Sequence, residues 1–300
     1  MSESTTGFAL NPASDSNIAH PIPRPARSIS ILGVRVDDVT TEEALALVRQ
    51  FIDSLAGAPG CDAAGARVCY QIVTPNAEIV TRASSDTNLR RIIAESALAI
   101  PDGAGLLLAG RILGTRLREQ VTGTDLAVAL AEQAARRGDR LFLLGAGEGV
   151  AEEAAARLQR RFPGLRIAGT FAGSPDPADD AEAIARIRAA APVHLLFVAY
   201  GASRQEAWIQ RNQARAGVPV AIGIGGALDF IAGRVPRAPA WLRRAGFDWL
   251  YRLAREPWRW RRQLALPKFA LLVARSRLVG GRHDSLGADR LEVDSPRPTH

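Results

Sequence analysis

The chain has 300 residues, 47% of them hydrophobic and 23% charged, the proportions of an ordinary globular protein with one large domain or two small ones. Its two cysteines, Cys61 and Cys69, make no Cys-x-x-Cys pair and have no histidine nearby, which argues against a disulfide framework and a structural zinc site. The net charge of +7 is unevenly spread: thirteen Arg and Lys between Arg234 and Arg282 face only Asp248 and Glu256, a local +11 that leaves about −4 elsewhere. One basic block on a near-neutral body points to a local anionic partner and away from nucleic acid.

Residues 1–27 are polar and proline-containing, without the apolar stretch of a signal peptide, and read as a disordered lead. SISILGV (28–34) reads as the first strand, followed by the helix TEEALALVRQFIDSL after Thr40. The stretch 54–66 looks like a loop or insertion. RVCYQIV (67–73) and SALAI (96–100) are the next strands, and TDLAVALAEQAARR after Gly123 is a helix. RLFLLG (140–145), LRIAGTF (165–171), VHLLFVAY (193–200) and PVAIGIG (219–225) complete the strands, with the helix EGVAEEAAARLQRRF after Gly147. Strands alternating with helices predict an α/β fold, a mainly parallel Rossmann-like sheet covered on both faces.

After Gly226 the strands stop, Trp and Arg dominate, and helical periodicity persists to about Arg277. The expected divisions are a lead (1–27), an α/β catalytic core (28–232), a helical Arg/Trp-rich appendage (233–279) and a disordered tail (280–300). No run of eighteen uninterrupted apolar residues occurs, so no membrane-spanning helix is expected, and the cytoplasm is the expected compartment.

Open α/β sheets bind ligands beyond the carboxyl ends of their strands, which singles out five junctions. Thr74-Pro75-Asn76 offers short polar groups to a sugar or base, or Asn76 simply caps the next helix. Asp102-Gly103 sets a carboxylate on a tight turn, as a general base toward an acceptor hydroxyl or as a turn residue. Gly145-Ala146-Gly147-Glu148-Gly149 is a phosphate-binding turn or a packing turn, and is not a full Gly-x-Gly-x-x-Gly. Gln205 and Glu206 open a helix; the helix dipole accounts for Glu206, whereas Gln205 is expected to hydrogen-bond a ligand. Gly223, Gly225 and Gly226 permit close backbone approach, and Asp229 contacts the ligand or braces the loop, which is otherwise a hinge.

The appendage carries four of the five tryptophans, Trp241, Trp249, Trp258 and Trp260, among its arginines. Arg on one helix face with Trp or Leu on the other suits an anionic lipid interface, and Arg also grips phosphate bidentately. No Asp-x-Asp triplet occurs, so no seat for a metal-clamped diphosphate is evident, and no metal or cofactor is expected.

The succession TPNAEIV, PDGAGLLLAGRILG, VTGTDL, LFLLGAGEGV, AYGASRQEAWI, GIGGALDFIAG and RAPAWLRRAGFDWLYRLAREPWRWRR resembles the WecG/TagA/CpsF glycosyltransferase family, in order, from about Ser30 to Arg262. The resemblance implies inverting, metal-independent transfer of a hexose, N-acetylhexosamine or hexuronic acid from a UDP-sugar. It implies as acceptor a polyprenyl-diphosphate-linked saccharide at the inner membrane face. It implies Asp102 as catalytic base, with Thr74, Asn76 and Gln205 at the substrate. Arg237, Arg244, Arg252, Arg255 and Arg259 are candidates for the nucleotide diphosphate and lipid phosphates. Gln120 stands where the family usually has arginine, with Arg118 as its nearest substitute. The rival reading is a non-catalytic, membrane-docked nucleotide-binding scaffold; self-association is open under either.

Overall fold

The computed structural model describes residues 25–55, 69–239, 241–242, 248–255, 260 and 264–278. The chain opens with β1 (Ser28–Ile31) and β2 (Val34–Asp37), which pair antiparallel as a separate two-stranded sheet. The expected single strand over 28–34 is therefore corrected. Leu32 (φ 54°) and Gly33 (φ 77°) both have positive φ, the backbone of the tight turn that suits strand twist in a two-residue hairpin. Buried Asp37 fastens the hairpin to the body. Its carboxylate accepts from Arg35 (2.8 and 2.7 Å), Ser28 Oγ (2.6 Å) and the Ala99 N–H (2.7 Å).

Helix α1 (Thr41–Leu55) starts from a reciprocal cap, Glu43 N–H to Thr40 Oγ1 and Thr40 N–H to Glu43 Oε2. It buries Ala44, Val48, Phe51 and Ile52, one stripe at helical spacing. Then follow β3 (Tyr70–Val73), α2 (Ala77–Ala83), α3 (Thr87–Glu95), β4 (Leu98–Ala99), α4 (Ala104–Ile112), α5 (Gly123–Arg137) and β5 (Arg140–Gly145). After these come α6 (Val150–Arg161), β6 (Arg166–Phe171), α7 (Asp180–Ala189), β7 (Leu195–Ala199), α8 (Arg204–Ala216), β8 (Val220–Gly223) and α9 (Ala227–Ile231). The C-terminal segment contributes α10 (Asp248–Arg255) and α11 (Ala265–Leu278).

Strands β3 to β8 form one parallel sheet in the order β4-β3-β8-β7-β5-β6. The inner strands β7 (LLFVA) and β8 (VAIG) are buried throughout, as expected where both faces are covered. Alternation along β5 divides its side chains between the faces. Leu141 and Leu143 meet α1, α5, α6 and α9, whereas Phe142 and Leu144 meet α7 and α8 around Trp208. A third cluster joins the hairpin, α2, α3 and α4, and α11 buries Phe269 and Val273 in it. Among the described residues, no helix is long and apolar enough to cross a membrane.

Candidate active site

Parallel order stacks the carboxyl ends of β3, β4, β7 and β8 along one edge, and a cleft of ≈1290 Å³ opens there. Thr74, Asn76, Asp102, Gly103, Gln205, Gly225, Asp229 and Arg237 all line it. These residues span 74 to 237 in the chain, and sheet order gathers those that follow strands.

Thr74 is buried and donates from Oγ1 to the Gly223 carbonyl (3.1 Å), tying the end of β3 to the end of β8. Asn76 caps α2, accepting from the Ile79 N–H (3.0 Å). That bond takes up Oδ1, and the same residue lines the cleft. Both readings of Asn76 are thus compatible at one side chain.

Asp102 follows β4, its N–H bonded to the Pro75 carbonyl (2.8 Å). Its Oδ2 would lie 3.8 Å from a Cβ placed on Gly123, and Thr74 Oγ1 would lie 3.6 Å from the same point. A carboxylate, a hydroxyl and the first residue of α5 therefore converge. Gly103 (φ 96°) has nothing within 4 Å of where a Cβ would be, so open space lies beside the carboxylate.

Gln205 Oε1 accepts from the Gly225 N–H (2.9 Å), and Nε2 donates to Glu206 Oε1 (2.9 Å). Its amide thus already holds the turn after β8. Glu206, whose first-turn position the helix dipole accounts for, is fully buried, and burial pushes its carboxyl above the usual carboxylate range.

Arg237 grips Asp125 bidentately (2.6 and 3.1 Å) across 112 residues of chain, and both line the cleft. Asp125 sits in the first turn of α5 and also accepts from Thr122 Oγ1 (2.7 Å). Asp229 lines the cleft in α9, and its carbonyl accepts from the Arg234 (3.0 Å) and Val235 (3.3 Å) N–H groups, bracing the turn that leads to Arg237.

Other expected positions fall elsewhere. Gly145 and Gly147 lie outside the cleft lining. A Cβ on Gly145 would meet the Ala199 backbone at 2.8 Å, so this glycine serves close packing of β5 against β7. Arg255 lies over the Tyr251 ring, 5.4 Å from its centroid, and does not line the cleft. Arg244, Arg259 and the Arg252 side chain lie outside the described residues. Arg118 does not stand in for Gln120. It is held by Glu43 (2.8 and 2.6 Å) and Asp38, a pairing that lowers the Glu43 carboxyl, while Gln120 itself lines the cleft. The cations the sequence reading missed are Arg111 on α4 and Arg204 on α8, both on the cleft wall. Their only signal was position on a helix beside a strand-end motif.

A large cleft at the carboxyl edge of a parallel sheet, lined by hydroxyl, amide, carboxylate and guanidinium groups, defines an α/β enzyme of polar, extended substrates. The profile of the glycosyl transferase WecG/TagA/CpsF family matches residues 29–283, and the chain belongs to that family; it is a glycosyltransferase. Its relatives include N-acetylglucosaminyldiphosphoundecaprenol N-acetyl-beta-D-mannosaminyltransferases. That of Bacillus subtilis (strain 168) is 34% identical over 202 residues, 67% of this chain and 78% of the relative. That of Bacillus spizizenii is 35% identical over 202 residues, 67% and 77% of the two chains. That of Staphylococcus aureus (strain MW2) is 31% identical over 206 residues, 69% and 80%.

Proposed function

We propose that the chain transfers a sugar from a UDP-sugar to a polyprenyl-diphosphate-linked saccharide, inverting the anomeric centre, for a cell-envelope polysaccharide. The relatives are named for adding N-acetylmannosamine to N-acetylglucosaminyldiphosphoundecaprenol, which makes UDP-N-acetylmannosamine the first donor to try. The observation that carries the reading is Asp102 at the cleft, beside Thr74 and the start of α5.

In this mechanism Asp102 takes the proton of the acceptor hydroxyl. The oxygen attacks the sugar C1 from the face opposite the diphosphate, the C1–O bond to the diphosphate breaks, and UDP leaves. Negative charge growing on the diphosphate needs preorganised positive partners, and Arg237, with Arg111 and Arg204 on the same wall, supplies them. Transfer without a metal is what the family resemblance implies, and full activity in EDTA is expected.

The enzyme works docked on the inner face of the cytoplasmic membrane. Leu271 and Leu278 on α11 are 70% and 86% exposed, Leu108 and Ile112 on α4 are exposed beside it, and Trp241 and Trp260 are exposed as well. Neither helix contains an acidic residue, while Lys268, Arg275 and Arg277 lie among the apolar side chains. Apolar groups flanked only by cations suit an anionic bilayer.

The test is UDP release with a polyprenyl-diphosphate-linked N-acetylglucosamine acceptor, comparing UDP-N-acetylmannosamine, UDP-glucose and UDP-glucuronate. Acceptor-dependent release with one donor is expected. UDP binding without release from any donor would favour the non-catalytic scaffold instead.

A further inference from the structure

We propose that Glu206 is a positioning residue for the cleft: its carboxyl fixes the amide of Gln205, and that amide holds the 224–226 turn. Glutamate in a first helical turn usually faces water, where the helix dipole favours it. Glu206 instead has no solvent exposure, and Gln205 beside it is 2% exposed. One carboxyl oxygen accepts from Gln205 Nε2 (2.9 Å), and the other, Oε2, has no hydrogen-bond partner. Burying a carboxylate away from water costs free energy, which raises its affinity for a proton. Burial outweighs the pull toward ionisation from Gln205, from the N–H groups of Glu206 and Ser203, and from the Arg82 charge.

A glutamine amide is nearly symmetric in shape, so its neighbours decide which end faces where. Here Glu206 Oε1 requires a donor and the Gly225 N–H requires an acceptor. Reversing the amide would set two donors against each other at Gly225 and two acceptors at Glu206. Space for the amide comes from Gly223, where a Cβ would lie 2.6 Å from Gln205 Nε2. Thr74 Oγ1 grips the Gly223 carbonyl from the other side. The turn that Gln205 holds contributes Ile224, Gly225 and Gly226 to the cleft wall and leads into Asp229. Glu206 therefore reaches the cleft through one hydrogen bond and one neighbour.

The choice of UDP as probe rests on the glycosyl-transfer reading; the hydrogen-bond relay does not. Glu206→Leu keeps the buried volume roughly and removes the acceptor, whereas Glu206→Gln retains an amide oxygen for Gln205. Glu206→Leu is expected to weaken UDP binding about tenfold, the net value of one hydrogen bond, raising donor KM more than it lowers kcat. Glu206→Gln is expected to stay within about threefold of wild type. In a Gln205→Leu background, Glu206→Leu is expected to add less than about a twofold effect, because a relay has only one output. Hydrogen exchange at the Gly225 amide gives a second readout: protection falls in Glu206→Leu and survives in Glu206→Gln. Unchanged UDP affinity with a protected Gly225 amide in Glu206→Leu would overturn the proposal, as would equal losses in the two Gln205 backgrounds. Should the wild type bind no UDP, the donor reading fails, and Gly225 exchange alone decides on Glu206.

Discussion

Replacing Arg237 by alanine separates a structural clasp from a substrate contact. The guanidinium is bound bidentately to Asp125, but the two side chains are 32% and 49% exposed. A pair that wet contributes roughly 0.2–1 kcal/mol, so Arg237→Ala should lower Tm by no more than a few degrees. The cost to donor binding is larger if Arg237 grips the diphosphate. Charge-assisted hydrogen bonds are worth about 1.5–3 kcal/mol, which weakens UDP binding roughly 10- to 150-fold. Arg237→Lys should fall between, since an ammonium cannot reproduce the two-pronged contact.

The control comes from the other side of the pair. Arg237 must leave Asp125, wholly or in part, to meet a diphosphate. Asp125→Asn weakens the competing contact, and this variant should bind UDP at least as tightly as wild type. Titration calorimetry with UDP reads all three variants, with thermal unfolding run in parallel. Equal weakening by Arg237→Ala and Asp125→Asn would mean that the pair merely shapes the cleft. UDP affinity within twofold of wild type in Arg237→Ala would refute the diphosphate role outright.

Asp102→Asn should reduce kcat on the order of 10²–10⁴-fold with UDP affinity unchanged, and wild-type turnover in that variant would remove Asp102 from the chemistry. Asp37→Ala strips the acceptor from Arg35, Ser28 and the Ala99 N–H in a site with no solvent exposure, so a loss of roughly 3–5 kcal/mol is expected from urea unfolding. On vesicles rich in phosphatidylglycerol, Leu271→Glu combined with Leu278→Glu, both outside the cleft lining, should weaken sedimentation more than about tenfold while soluble UDP binding stays intact. Undiminished sedimentation of that double variant would move the docking face elsewhere.

The parallel sheet was readable because its inner strands are short apolar runs, LLFVA and VAIG, that only a two-sided cover can bury. The hairpin was not. Ile29, Ile31, Val34 and Val36 are all buried, and an alternating apolar stretch looks like one strand when the turn is Leu-Gly instead of Asn-Gly. What sets the hairpin apart is Asp37 reaching Ala99, a contact across 62 residues that local pattern does not encode. The burial of Glu206 escaped for a related reason: first-turn position signals a surface acid, and only the packing of α8 on the sheet removes it from water.

At the site, the strand-end rule located the cleft but not the division of labour within it. Glycines after β5 and after β8 look alike in sequence, yet Gly145 is pressed against Ala199 whereas Gly225 has open space where a Cβ would be. Glycine permits close approach of anything, and the sequence does not say whether backbone or ligand approaches. Short polar residues carry the same ambiguity. Thr74, Asn76 and Gln205 were expected to address a ligand, and each spends at least one hydrogen bond on a neighbouring element: Gly223, Ile79 or Gly225. Those bonds orient what remains. Asn76 has Oδ1 held by the cap of α2, and the 224–226 turn is held by the amide of Gln205. The polar groups nearest the cleft are therefore also its framework, which is why substitutions there should be judged by the separate effects on kcat, KM and hydrogen exchange, and not by loss of activity alone.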